Sequence, residues 1–182
     1  MHNCFYYASE NPHQIHEKEL KSKAVTIWAM ISYHHGITHY VFDGTVNREK
    51  YANLLESTVF PFFSRRCHIP RIYQQDGAPA HWSLQVRDLL NNNLRNSWTG
   101  RDGLINWPPR SPDLSINDFW LWGYVRDNVY KQPRSLTLEH LANRICDFLD
   151  SIPDQMVKNS FQSFNERCQK CVEAEGAHFQ QL

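Results

Sequence analysis

The stretch YQQDGAPAH, Tyr73 to His81, decides how the rest of the chain is read. A short β-like run stops abruptly at an acid, a glycine and a proline, residues that punctuate turns. Two readings compete. Asp76 is an ordinary turn residue, whose side chain bonds its own backbone. Or it is a carboxylate just past the carboxyl end of a strand, where open α/β sheets place ligand and metal sites.

Working outward, the 182 residues are one domain's worth of chain, enough to bury a core. Hydrophobic residues make up 41%, which excludes a disordered polar chain. Lys plus Arg and Asp plus Glu both total 19, so the formal charge is zero. Neutrality decides nothing about nucleic acid, because charges can segregate on a surface. No apolar run approaches the roughly 20 residues of a membrane span, and no signal peptide is expected. The five cysteines, Cys4, Cys67, Cys146, Cys168 and Cys171, are an odd and scattered set that suits a reducing compartment.

The first 23 residues are polar apart from a short extended piece at Cys4–Tyr7. Ala24–Tyr33 reads as a strand buried on both faces and Ile37–Phe42 as its hairpin partner, with His34–Gly36 the turn. A helix capped by Asn47 follows, with Tyr51, Leu54, Leu55 and Val59 on one face and Pro61 bending or stopping it. Arg71–Gln75 is the third strand and Trp82–Asn92 the second helix. The run NNNLRNSWTGRDG reads as loop, and Leu104–Trp107 as a strand stopped by two prolines. An aromatic-rich helix begins at Ile116. Two more close the chain, one capped by Thr137 with Leu138, Leu141, Ile145, Phe148 and Leu149 inward. The other opens on the capping box of Ser151–Asp154 and turns Val157, Phe161, Phe164, Cys168 and Val172 inward. The order ββαβαβααα implies a mixed sheet with helices on its faces.

Asp118 lies near the start of the aromatic helix, where the helix dipole favours a carboxylate. If the third and fourth strands are neighbours, Asp76 and Asp118 approach each other and make an oxygen-ligand site of the Mg²⁺ type. Spacing alone favours the turn acid and the helix-start acid, which are common. Weaker candidates surround the pair. Cys168 and Cys171 form a CxxC on a helix with no second ligand pair. His34 and His35 read as turn residues, and Trp120 and Trp122 as core. Arg65, Arg66, His68 and Arg71 form a small basic run able to touch phosphate.

QQDGAPAH followed by WPPRSPDLSINDFWLW resembles the catalytic core of mariner-type transposases, in the DDE/DDD group with an RNase H-like fold. That family writes D-[NG]-A-P-x-H and then W-P-x-x-S-P-D-L-x-P-x-[DE]. Asp76, Gly77, Ala78, Pro79 and His81 match the first motif, and Trp107, Pro108, Ser111, Pro112, Asp113, Leu114 and Asp118 the second. HNCFYYASENPH and VFDGTVNREKY also resemble stretches ahead of that core. Ile116 departs from the pattern, where the family usually has proline.

By this resemblance Asp76 is the second catalytic acid and Asp118 the third, with 41 residues between them, an Asp-type site. Mg²⁺ or Mn²⁺ is the implied cofactor, held weakly in an incomplete site. The first acid belongs on a strand upstream of HNCFYY, so the implied fold is an RNase H-like mixed sheet flanked by helices and lacking its first central strand. Residues 1–182 then form a single incomplete domain, and the helix-turn-helix DNA-binding region is absent. Asp43 and Glu10 are the other acids that could take the vacant role.

The implied parent activity is metal-dependent DNA cleavage and strand transfer, and the chain alone is expected to be inactive. The implied partners are DNA and a second copy of the chain; Arg65, Arg66 and Arg71, read from the residues alone, either touch DNA phosphate or form a solvated face. No membrane and no small-molecule substrate are implied, and the location is nuclear. Two other readings stay open: a non-catalytic nucleic-acid-binding or interaction module of transposase origin, and a decayed remnant.

Overall fold

The computed structural model describes residues 24–65, 71–103, 105–108, 111–130 and 137–176. Cys4–Tyr7, Glu10, Arg66, Cys67 and His68 lie outside them.

Strands β1 (Thr26–Ser32) and β2 (Gly36–Phe42) form the expected antiparallel hairpin, paired from Thr26–Phe42 to Ser32–Gly36. Gly36 turns the corner at φ +69°, a left-handed conformation that side chains resist. Alternate β1 side chains serve two separate cores, as a strand's period of two requires. Met30 and Trp28 face one cluster, while Ala29, Ile27 and Ile31 face the other. This two-sided demand explains the nearly unbroken apolar run.

The first cluster lies under helix α1 (Arg48–Leu54), a π-helical turn (Leu55–Val59) and α2 (Phe60–Ser64). The Asn47 side chain accepts from the Lys50 N–H at 2.9 Å, as a cap should. Tyr51, Leu54, Leu55 and Val59 are all buried, the face read from the sequence. The chain does not stop at Pro61. The wide turn re-registers the backbone hydrogen bonds, so proline falls in the first turn of α2, where no donor is needed.

A second sheet contains β3 (Tyr73–Gln74), β4 (Trp98–Gly100) and β5 (Ile105–Asn106), all parallel. Helix α3 (Leu84–Leu94) crosses from β3 to β4 and buries Val86, Leu90 and Leu94. Strand β4 falls inside the run read as loop.

The second cluster packs the other hairpin face against α4 (Trp122–Val129), α5 (Leu138–Asp150) and α6 (Asp154–Glu173). Trp120 and Trp122 pack on it, as read. The Thr137 side chain caps α5 as expected, accepting from the His140 N–H. The Ser151 capping box does not form. Ser151 instead ends α5, its hydroxyl donating to the Phe148 carbonyl at 2.7 Å, and α6 starts at Pro153 without a side-chain cap. At the two ends of these helices the apolar face outruns the core. Leu138 is partly exposed and Val172 is 78% exposed, against the inward reading of both.

Among the described residues the two sheets are not joined. Among the described residues no strand lies between β1 and β3, and these two do not pair with each other.

Candidate active site

Asp76 and Asp118 reach one cavity from different elements. The cavity measures about 770 Å³ and runs along β1 on one wall and Arg71–Asp76 on the other. Asp76 follows β3 directly. Asp118 sits in a π-helical turn, Asn117–Leu121, that leads into α4. Both carboxylates are exposed at the cavity.

Local chemistry fixes each acid. Asp76 Oδ1 accepts from the Ala78 N–H at 3.0 Å, the turn bond expected of this residue. His81 Nδ1 lies 2.5 Å from the same oxygen. Burial pushes the Asp76 carboxyl up, but the hydrogen bond and charge of His81 and the Ala78 N–H outweigh it. The carboxyl ends below its usual value. The turn reading and the site reading therefore coexist in one residue.

His81 is itself held from below. Its ring stacks on Tyr51 with centroids 3.9 Å apart. Its backbone carbonyl accepts from Gln75 Nε2 at 2.9 Å. Tyr51 Oη donates to Gln75 Oε1 at 3.1 Å and lies 2.9 Å from Tyr73 Oη. The sequence does not announce this buried network: Tyr51 reads there as an apolar helix position. The available signal was Gln75, a polar residue at a strand position facing the core.

The Asp118 turn is clamped from two sides. The Asn117 side chain donates to the Ala29 carbonyl of β1 at 3.0 Å. Arg167 of α6 lies over the Phe119 ring at 4.3 Å and donates to the Asp113 carbonyl at 3.2 Å. Ile116 has φ −57°, a value proline also holds, so the departure from the motif leaves the backbone approach to Asp118 proline-compatible.

The other candidates scatter. Arg71 lies over Phe62 and Phe63 at 5.8 and 5.5 Å and lines the cavity, while Arg65 is exposed at the end of α2. Asp43 is outside the cavity lining, at the end of β2, its carbonyl accepting from Lys50 Nζ. His34 and His35 occupy the hairpin turn. Cys168 and Cys171 are free thiols. Among the described residues, no group of three or more His, Cys, Asp or Glu side chains could hold a metal ion.

A hairpin beside parallel strands, helices on both faces, and carboxylates beyond a strand end and at a helix start define an α/β domain of the RNase H-like kind. Comparison with known proteins agrees. No family model matches the sequence. The chain is similar to the Tc3 transposase of Caenorhabditis elegans, 26% identical over 177 residues, covering 95% of this chain and 51% of that protein. It is 28% identical to the Tc1 transposase of the same organism over 133 residues, covering 72% and 45%. The chain thus spans about half the length of the curated relatives it matches.

The Mos1 mariner transposase catalytic domain superposes with a TM-score of 0.67 at 21% identity, covering 86% of this chain. Two solved structures of that domain contain raltegravir, with Mg and with Mn. The Mos1 paired-end complex with Mn superposes at 0.71 over 95% of this chain and 51% of Mos1, at 20% identity. The chain is similar to transposases of transposable elements, and its fold is that of the Mos1 mariner transposase catalytic domain. Among the described residues no helix is long and apolar enough to cross a membrane.

Proposed function

We propose that the chain is the catalytic portion of a mariner-type transposase and acts on DNA in the nucleus. Asp76 and Asp118 serve as its second and third acids and as ligands of Mg²⁺ or Mn²⁺. The observation that carries this reading is their convergence on one cavity from positions with 41 residues between them. The donor set fits the metal: both side chains offer the hard oxygens these ions take. No ion pair among the described residues engages Asp118. His81 keeps Asp76 ionised and in place, and the Asn117 and Arg167 contacts fix the turn bearing Asp118. When bound, such ions activate an attacking oxygen and stabilise the leaving one at phosphorus. Two acids hold them incompletely, so the activity requires a further ligand.

Titrating Mn²⁺ into the chain by calorimetry tests the site. The expected dissociation constant is on the order of a millimolar, with water completing the shell. Binding should vanish in Asp76→Ala and in Asp118→Ala; binding unchanged by either substitution contradicts the assignment. DNA association should be weak and sequence-independent, resting on phosphate contacts near Arg65, Arg66 and Arg71. Three such contacts give a log–log salt slope of about −3. A footprint on one defined sequence at physiological salt would contradict this.

A second reading, a non-catalytic DNA-binding or interaction module of transposase origin, is favoured by the lack of a three-ligand group among the described residues. It predicts DNA binding with no metal binding at Asp76.

A further inference from the structure

The turn that follows β4 carries an arginine that neither the core nor the acid pair uses. Gly100 to Gly103 is a tight turn, closed by the Gly103 N–H donating to the Gly100 carbonyl at 3.2 Å, with Arg101 and Asp102 at its corners. The turn is braced twice. Gly103 lies so close to the buried Trp98 ring that a Cβ there would come within 2.9 Å, and Arg87 of α3 donates to the Asp102 carboxylate at 3.2 Å. Arg101 is exposed, and its guanidinium lies over the Trp82 ring at 4.1 Å. Among the described residues no carboxylate pairs with it, since its neighbour Asp102 is engaged by Arg87. Its place in the sheet is set by the parallel ladder. Gln74 pairs with Thr99, and the Gln75 N–H donates to the Thr99 carbonyl at 3.0 Å, so the same register sets Asp76 beside Arg101. Both residues stand just past the carboxyl ends of neighbouring strands, where open α/β sheets bind their ligands. Trp82 belongs to the loop that begins at Asp76. Arg71, by contrast, precedes β3, about 16 Å back along the chain from Asp76 at the rise of a strand.

We propose that Arg101, laid on Trp82, is a phosphate clamp that holds the DNA backbone beside Asp76. A guanidinium presents a planar fork of donors that matches two phosphate oxygens at once. Stacking on an indole holds that fork in one plane and lowers the entropy lost when it binds. The braced turn does the same for the backbone beneath it. A cation is also what the acid pair lacks. Two carboxylates in a cavity repel a phosphodiester, and a fixed positive charge alongside offsets that repulsion where the strand must lie. The clamp adds a contact next to the acids, whereas the Arg65–Arg71 run meets phosphates further along. The inference rests on the reading that the chain acts on DNA, and it makes Arg101 a substrate-positioning residue with no part in metal binding.

Binding of the full chain to a short DNA duplex of arbitrary sequence, followed by fluorescence anisotropy over a range of salt, tests it. Arg101→Ala should bind about tenfold more weakly, with the salt slope shallower by about 0.9, one phosphate contact. Arg101→Lys keeps the charge and loses the fork, so it should keep the slope and still lose affinity. Arg126→Ala, which removes an exposed arginine paired with Asp127 on α4, should change neither. The second readout is fluorine NMR of the chain labelled with 5-fluorotryptophan, the Trp82 signal being assigned through Trp82→Phe. Duplex should shift the Trp82 signal in the wild type and not in Arg101→Ala, while the signal of buried Trp98 stays put in both and reports the fold. A wild-type chain that binds no duplex overturns the DNA reading and the clamp together. Normal wild-type binding that Arg101→Ala leaves unchanged overturns the clamp alone, as does an equal loss in Arg126→Ala or a Trp82 signal indifferent to duplex. Failure of Mn²⁺ to bind at Asp76 and Asp118, with the Arg101 effects intact, overturns the acid assignment and leaves the clamp standing.

Discussion

Trp98→Ala is expected to lower the stability of this domain by about 3–5 kcal/mol, the usual range for deleting a buried tryptophan. Trp98 has no exposed surface and belongs to the first core cluster. Its ring lies against two glycines: a Cβ on Gly103 would meet Trp98 Cζ3 at 2.9 Å, and one on Gly100 at 3.3 Å. Its Nε1–H donates to Asn91 Oδ1 at 3.0 Å, tying β4 to α3. Alanine leaves a void in the core beside β4 and removes the side-chain bond from β4 to Asn91. A domain of this size is held by about 5–15 kcal/mol, so the loss is a large share of the total. Urea denaturation followed by circular dichroism measures it. A loss under about 1 kcal/mol would mean that the β3–β5 sheet is not part of the cooperative core.

Trp98 also marks where the sequence stops being legible. Strand β4 has three residues, Trp-Thr-Gly, set between Asn-rich and Gly-rich turns. Period-two alternation cannot be read over three positions, and Gly100 is a residue that strands disfavour. Only the tertiary neighbours make it a strand: β3 on one side, β5 on the other, and the indole folded over Gly103. By contrast, the hairpin and the α1 face were legible, because Thr26–Ser32 and Tyr51–Val59 repeat their pattern long enough to be distinctive. Asp76 and Asp118 were legible as a pair only through the motif around them, since an acid in a turn and an acid at a helix start are each commonplace. What holds them was hidden. Arg167 comes from 49 residues after Asp118, and nothing in the local sequence announces that it packs over Phe119. The Ser151 capping box failed because Ser151 ends α5 in helical conformation and the N-cap position of α6 falls on Pro153, two residues later.

The hydroxyl network beneath Asp76 gives the second large expected effect, a loss of stability at alkaline pH. Tyr73 is pushed up to about 12, and burial is the main cause. Tyr51 is raised well above its ordinary value, again chiefly by burial and then by the charge Tyr73 would carry. In the unfolded chain both phenols ionise near pH 10. The folded chain keeps these protons after the unfolded chain has released them. Stability from these groups is therefore fully present below pH 10 and is lost as pH rises toward and past 12. For Tyr73 alone, two pKa units correspond to about 2–3 kcal/mol by pH 12, and Tyr51 adds to it. Tyr51→Phe should remove one of the two titrating groups and flatten the alkaline decline. At neutral pH the same substitution should cost about 1–3 kcal/mol, because the buried Gln75 oxygen loses its donor. Thermal melts from pH 8 to 11.5, with ultraviolet absorbance reporting phenolate, separate the two effects. Phenolate from all tyrosines at pH 10 in a still-folded sample would show that Tyr51 and Tyr73 are open to water, and that the platform supporting His81 and Asp76 does not exist.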